Sequence, residues 1–74
     1  MNISTATVNS IEPQTYTGNE LLPSVEVYFD GKLLIEDKDY DVVYLDNVEH
    51  GRAEVIICGL NKFKGIVKSY FDIL

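Results

Sequence analysis

Apolar and polar residues alternate along much of this chain with a period of two, the spacing of strands that bury one face and wet the other. The clearest stretch is residues 24–30, where Val25, Val27 and Phe29 alternate with Ser24, Glu26, Tyr28 and Asp30. Asp30-Gly31 then supplies a hairpin-type turn, and residues 32–35 answer it as a short return strand. In residues 39–45, Tyr40, Val42 and Tyr44 share one face while Asp39, Asp41 and Val43 share the other, which predicts that the tyrosine face points inward. A turn through residues 46–51 leads into residues 52–58, read as a central strand with Ala53, Val55 and Ile57 on one side. After a further turn at residues 59–65 the segment 66–74 carries Val67, Phe71 and Ile73 on one face, and an opening strand near residues 3–11 completes the set.

Breakers fall between these runs. Pro13, Gly18, Pro23, Gly31, Gly51, Gly59 and Gly65 leave no window with apolar spacings of three and four long enough for a helix. The expectation is an all-β chain, an immunoglobulin-like β-sandwich of about six to seven short strands, because an open sheet would leave one apolar face wet. The glycines are expected at turns, where positive φ or a close backbone approach excludes other residues.

The ordered set Tyr16-Thr17-Gly18, Pro23, Val25-Glu26-Val27, Asp30-Gly31, Asp39-Tyr40-Asp41-Val42-Val43-Tyr44, Asn47, Gly51-Arg52-Ala53, Ile57, Gly59, Phe63-Lys64-Gly65 and Phe71-Asp72-Ile73 spans almost the whole chain. It resembles the bacterial Ig-like repeat modules of Gram-positive and gut-bacterial surface proteins, whose relatives also occur on bacteriophage particles. The resemblance implies the same sandwich fold and a structural or adhesive role. The chain departs from the repeats in two ways. Asn61 stands where they carry a second glycine, and Ile56, Cys58, Ile66 and Tyr70 stand where they tend to place Thr or Lys.

Length and charge narrow the field. With 74 residues the chain holds one domain, residues 1–74, and one small core. Such a core supplies roughly 3–5 kcal/mol unless a disulfide, a metal or a partner adds to it. The single cysteine, Cys58, closes no intrachain bridge. Twelve acidic residues against six basic ones give a net charge of −6, which repels phosphate backbones and anionic lipid, so neither nucleic acid nor membrane insertion is expected. No stretch approaches the ~20 apolar residues of a membrane span, and no signal-like start precedes the domain.

Catalytic, cofactor and metal chemistry find little footing. Asp37, Asp39 and Asp41 have the first spacings of a calcium loop, but Val42 replaces its glycine and Val48 its bidentate glutamate, so a solvated strand face is expected instead. His50 is the only neutral-pH base and lies about seven extended residues from Cys58, at ~3.3 Å each, which separates them too far for a nucleophile-base pair. One histidine and one cysteine also fall short of a structural zinc site. A glycosidase carboxylate pair needs a cleft that so small a sandwich cannot wall off. Tyr16, Tyr40 and Tyr44 read as core residues with hydroxyls that reach a partner, with Tyr16 or Tyr28 as the alternative stacking platform for a sugar or base. No catalytic, cofactor-binding or metal-ligating residue is assigned.

The outward positions of the last strands are unusually apolar. Ile56 and Cys58 face away from Ala53, Val55 and Ile57, and Ile66 and Tyr70 face away from Val67 and Phe71. If these strands are neighbours, Tyr28, Ile56, Cys58, Ile66 and Tyr70 form a candidate interaction patch. The function expected is therefore a non-catalytic structural module. The leading form is a stand-alone decoration protein on a bacteriophage virion surface, bound to a larger capsid or fibre protein, since the chain starts at its own Met1 and ends near one complete repeat. The alternatives are a spacer or weak glycan-binding repeat of a secreted bacterial cell-surface adhesin, and a small enzyme or inhibitor acting through the loop 37–41.

Overall fold

The hairpin at Asp30-Gly31 forms as its sequence requires. Asp30 and Gly31 take φ of 51° and 77°, the doubly left-handed pair of a two-residue turn whose twist matches the flanking strands. It joins β2 (Val27–Phe29) to β3 (Lys32–Leu33), with Phe29 opposite Lys32 and Tyr28 opposite Leu33. In the computed structural model, which describes all residues Met1–Leu74, β1 (Thr7–Val8) pairs with the other edge of β2 and completes a three-stranded antiparallel sheet. The second sheet is also antiparallel, in the order β4 (Tyr40–Leu45), β5 (Gly51–Gly59), β6 (Ile66–Ile73), so β5 is central as its two-sided apolar pattern predicts. The chain is all-β, with no α-helix.

Three expected strands are shorter than their patterns, the return strand over 32–35 forming only at Lys32–Leu33. Residues 3–5 form a 3-10 turn, capped by Asn2, whose side-chain oxygen accepts from the Ser4 N–H at 2.8 Å. The opening segment therefore offers only Thr7 and Val8 to β2, and the expected strand over 24–30 forms only from Val27 to Phe29, with one further backbone bond from Asn9 N–H to Glu26 O at 3.0 Å. Alternation persists beyond the ladder: Val25 is buried while Ser24 and Glu26 are exposed or nearly so. Burial follows the side-chain period, whereas a strand also needs a partner's backbone.

The inner faces of both sheets share one core. Val25, Val27 and Leu34 from the first side meet Tyr40, Ala53, Val55, Ile57, Phe71 and Ile73 from the second, with Ile3 and Phe63 closing one end. Ile3, Val27, Val55 and Ile57 are completely buried. The tyrosine face of β4 does point inward: Tyr40 is buried, Tyr44 is half-buried, and the Tyr44 hydroxyl donates to the Pro23 carbonyl at 2.6 Å. Phe29 meets Phe63 edge-on with centroids 5.7 Å apart.

The start of the chain binds both sheets. After β1 leaves β2, residues 14–16 run alongside the end of β6: Gln14 N–H donates to Asp72 O at 2.8 Å, Leu74 N–H to Gln14 O at 2.8 Å, and Tyr16 N–H to Leu74 O at 3.0 Å. The opposite side is held at Asn47, the one buried polar side chain, whose amide donates to Leu21 O at 3.0 Å while Leu21 N–H donates to Asn47 O. Among the glycines, Gly59 is a case of close approach: a Cβ there would lie 2.7 Å from backbone atoms of Phe63 and Lys64.

Candidate functional site

The register of the second sheet decides which outward side chains meet. Across its outer face, Asp41, Cys58 and Ile66 form one row, Val43, Ile56 and Lys68 the next, and Leu45, Glu54 and Tyr70 a third. A last row carries Arg52 and Asp72. Four of the five residues singled out from the sequence, Ile56, Cys58, Ile66 and Tyr70, therefore lie on one face of two adjacent strands. Ile66 and Tyr70 are 54% and 46% exposed, while Ile56 and Cys58 in the central strand are half-buried by their neighbours.

Tyr28 does not join them. It belongs to β2 in the other sheet, opposite Thr7 and Leu33, and its neighbours Val27 and Phe29 turn toward the core. Strand alternation sends Tyr28 to the far outer surface beside exposed Leu33, with the whole core between it and Ile56.

Two residues of the face were missed by the sequence reading. Val43 and Leu45, 42% and 43% exposed, extend the apolar band from β5 onto β4. The alternation of β4 already placed Val43 opposite the tyrosines, but only the pairing with β5 sets it beside Ile56. Val43, Leu45, Ile56, Cys58 and Ile66 are linked as row or strand neighbours. Tyr70 stands at the border, separated from Ile66 by Lys68, with the Arg52 guanidinium 5.6 Å from its ring centroid. The band thus has an apolar middle and a rim of Asp41, Glu54, Lys68, Arg52 and Asp72, the layout of a recognition patch. Arg52 and Asp72 approach only to 4.0 Å with both side chains well exposed, so this ion pair adds little stability.

The remaining candidates scatter. Tyr16 is exposed at 37% instead of buried as expected, and one face of its ring is stacked on His50 at 4.2 Å between centroids, 22° from parallel. Tyr40 and Tyr44 reach the core through the period of β4, but Tyr16 lies in the segment alongside β6, its N–H on Leu74 O and its ring on His50 in the loop before β5. His50 precedes Gly51 at one end of β5, whereas Cys58 stands near the other end. Asp39 shapes its own turn, its carboxylate accepting from Ile35 N–H at 2.9 Å. No three histidine, cysteine, aspartate or glutamate side chains converge as a metal-ligand group.

Two tyrosines have altered acidities. Burial raises the Tyr40 hydroxyl above its usual 10.0, and Glu36, Tyr44, Asp37 and Asp39 raise it further. Burial followed by Glu36 raises Tyr44 in the same direction. Both inner-face hydroxyls are thus held neutral, and the carboxylates of the loop 36–39 press on the edge of the sheet at β4.

Comparison of the chain with protein-family models, with curated proteins and with solved structures finds no match.

Proposed function

We propose that this chain is a non-catalytic interaction module of immunoglobulin-like sandwich type, a decoration protein that docks on a larger structural protein of a bacteriophage particle through the outer face of β4, β5 and β6. The observation that carries this reading is the apolar band itself. Val43, Leu45, Ile56, Cys58 and Ile66 lie side by side on the surface turned away from the core, where folding gives them no partner. A contiguous apolar patch rimmed by charge is the usual mark of a protein contact. The sandwich topology is supported by two antiparallel sheets around one core and by a first segment that pairs with each sheet in turn.

Docking also answers a stability problem. Only eleven apolar side chains form the buried core, and no disulfide reinforces it. A partner that binds only the folded chain adds about 2.7 kcal/mol at a concentration a hundred times its Kd. The test is the double variant Ile56→Lys with Ile66→Lys. It is expected to stay folded and to lose co-sedimentation with intact particles; unchanged co-sedimentation by a folded double variant overturns the docking face. A wild-type chain that ignores particles yet adheres to bacterial envelope glycan would support the adhesin repeat instead.

A further inference from the structure

We propose that the outward edge of β4 takes an extended, basic segment of the docking partner as an added strand of the β4–β5–β6 sheet; this deepens the reading of that sheet as the docking surface. The backbone leaves the place for it. The Tyr40 carbonyl accepts from Asp37 N–H, on the side of β4 away from β5. Backbone groups alternate sides along a strand, so those of Val42 and Tyr44 point the same way. Neither residue has a backbone partner there: the Val42 amide meets only the neighbouring Asp41 carboxylate at 3.0 Å, and the Val42 carbonyl and both Tyr44 groups meet no other main chain. The end of β6 differs, because residues 14–16 cover its edge.

β4 also lacks most of the features that blunt an edge, its one charged side chain being Asp41. It contains no proline and no lysine, and its register with β5 runs without a bulge from Tyr40 to Leu45. Its outward side chains Val43 and Leu45 continue the apolar band, so an added strand would extend the ladder directly beside the patch.

Charge selects the occupant. The loop and strand bordering this edge carry Glu36, Asp37, Asp39 and Asp41 against Lys38 alone, and Glu54 stands beside Leu45 on the outer face. A second copy of this chain would bring the same carboxylates to the seam and a further net charge of −6. An added strand alternating basic and apolar residues, with its basic side chains on the outer face, meets Asp39 and Asp41 with opposite charge. The aliphatic stems of those basic side chains lie beside Val43, while the strand's apolar side chains fall on the inner-face side of Val42.

The probe is a short peptide of alternating lysine and valine, compared with its glutamate-valine counterpart and with a lysine-valine peptide N-methylated on alternate amides along one edge. Amide exchange of Tyr44, followed residue by residue by NMR on the intact chain, reports the pairing. The lysine-valine peptide is expected to slow that exchange by about tenfold or more, and the other two to leave it unchanged. Equal binding by the N-methylated peptide reduces the effect to charge attraction and overturns the added strand. Unchanged exchange with the lysine-valine peptide overturns it as well. So does a chain that sediments alone as a dimer with Tyr44 already protected, which makes a second copy the occupant. If the peptide fails while Ile56→Lys with Ile66→Lys still abolishes docking on particles, the inference falls and the docking face stands.

Discussion

At Gly59 the backbone of the next turn leaves no room for a side chain. Its own N–H donates to Gly65 O at 2.9 Å, and the chain returns so closely that a methyl group would collide with Phe63 and Lys64. Gly59→Ala is expected to destabilise the fold by ~1–3 kcal/mol, because main-chain atoms cannot swing aside as a flexible side chain can. A urea midpoint unchanged from the wild type would contradict this. Two residues on, Asn61 takes φ of 55° and its side-chain amide donates to Lys38 O. The left-handed position is thus filled by one of the few non-glycine residues that tolerate it, with a hydrogen bond added. Asn61→Gly should lose the bond alone, whereas Asn61→Ala should lose the bond and strain the turn, costing about 1 kcal/mol more.

The elements were legible where a period of two ran long enough to name both faces. β4, β5 and β6 appear within a residue or two of their expected bounds, and the Asp30-Gly31 hairpin forms at its expected site. The opening segment was less legible, since Asn2 can end a strand pattern by capping a turn and nothing local shows which option wins. The two faces of β5 and β6 also make different stability predictions. Ile57→Ala removes a completely buried side chain and is expected to cost ~2–5 kcal/mol, enough to unfold much of a domain this size. Ile66→Lys, on the exposed face, should change stability by no more than about 0.5 kcal/mol. Equal losses in thermal melts of the two variants would mean that Ile66 serves the fold and not a contact.

For the molecule as a whole, the neutral tyrosines of the inner face set an alkaline limit. Tyr40 and Tyr44 hold their protons in the folded state beyond pH 10.0, where the unfolded chain begins to release them. The unfolded state then binds fewer protons, so stability is full below that pH and falls as pH rises through the raised values. Urea midpoints are expected to be level up to about pH 9 and to decline by about pH 11, with Glu36→Gln softening the decline. A flat profile would show that the two hydroxyls ionise without regard to folding.

Composition, breakers and period together determined that this chain is all-β, that it carries about as many strands as it does, and which side of β4, β5 and β6 enters the core, because these follow from local geometry and the aversion of apolar groups to water. Partnership was not local. Tyr28 and Ile56 look alike as outward apolar residues on strands, and only the assignment of β2 and β5 to opposite sheets puts them on opposite surfaces. Val43 and Leu45 entered the apolar band, Tyr16 left the core for His50, and β4 kept an unpaired edge, all through contacts between residues far apart in sequence. Which strand lies beside which is settled by the shared burial of the whole core, a sum over the molecule that no single segment contains.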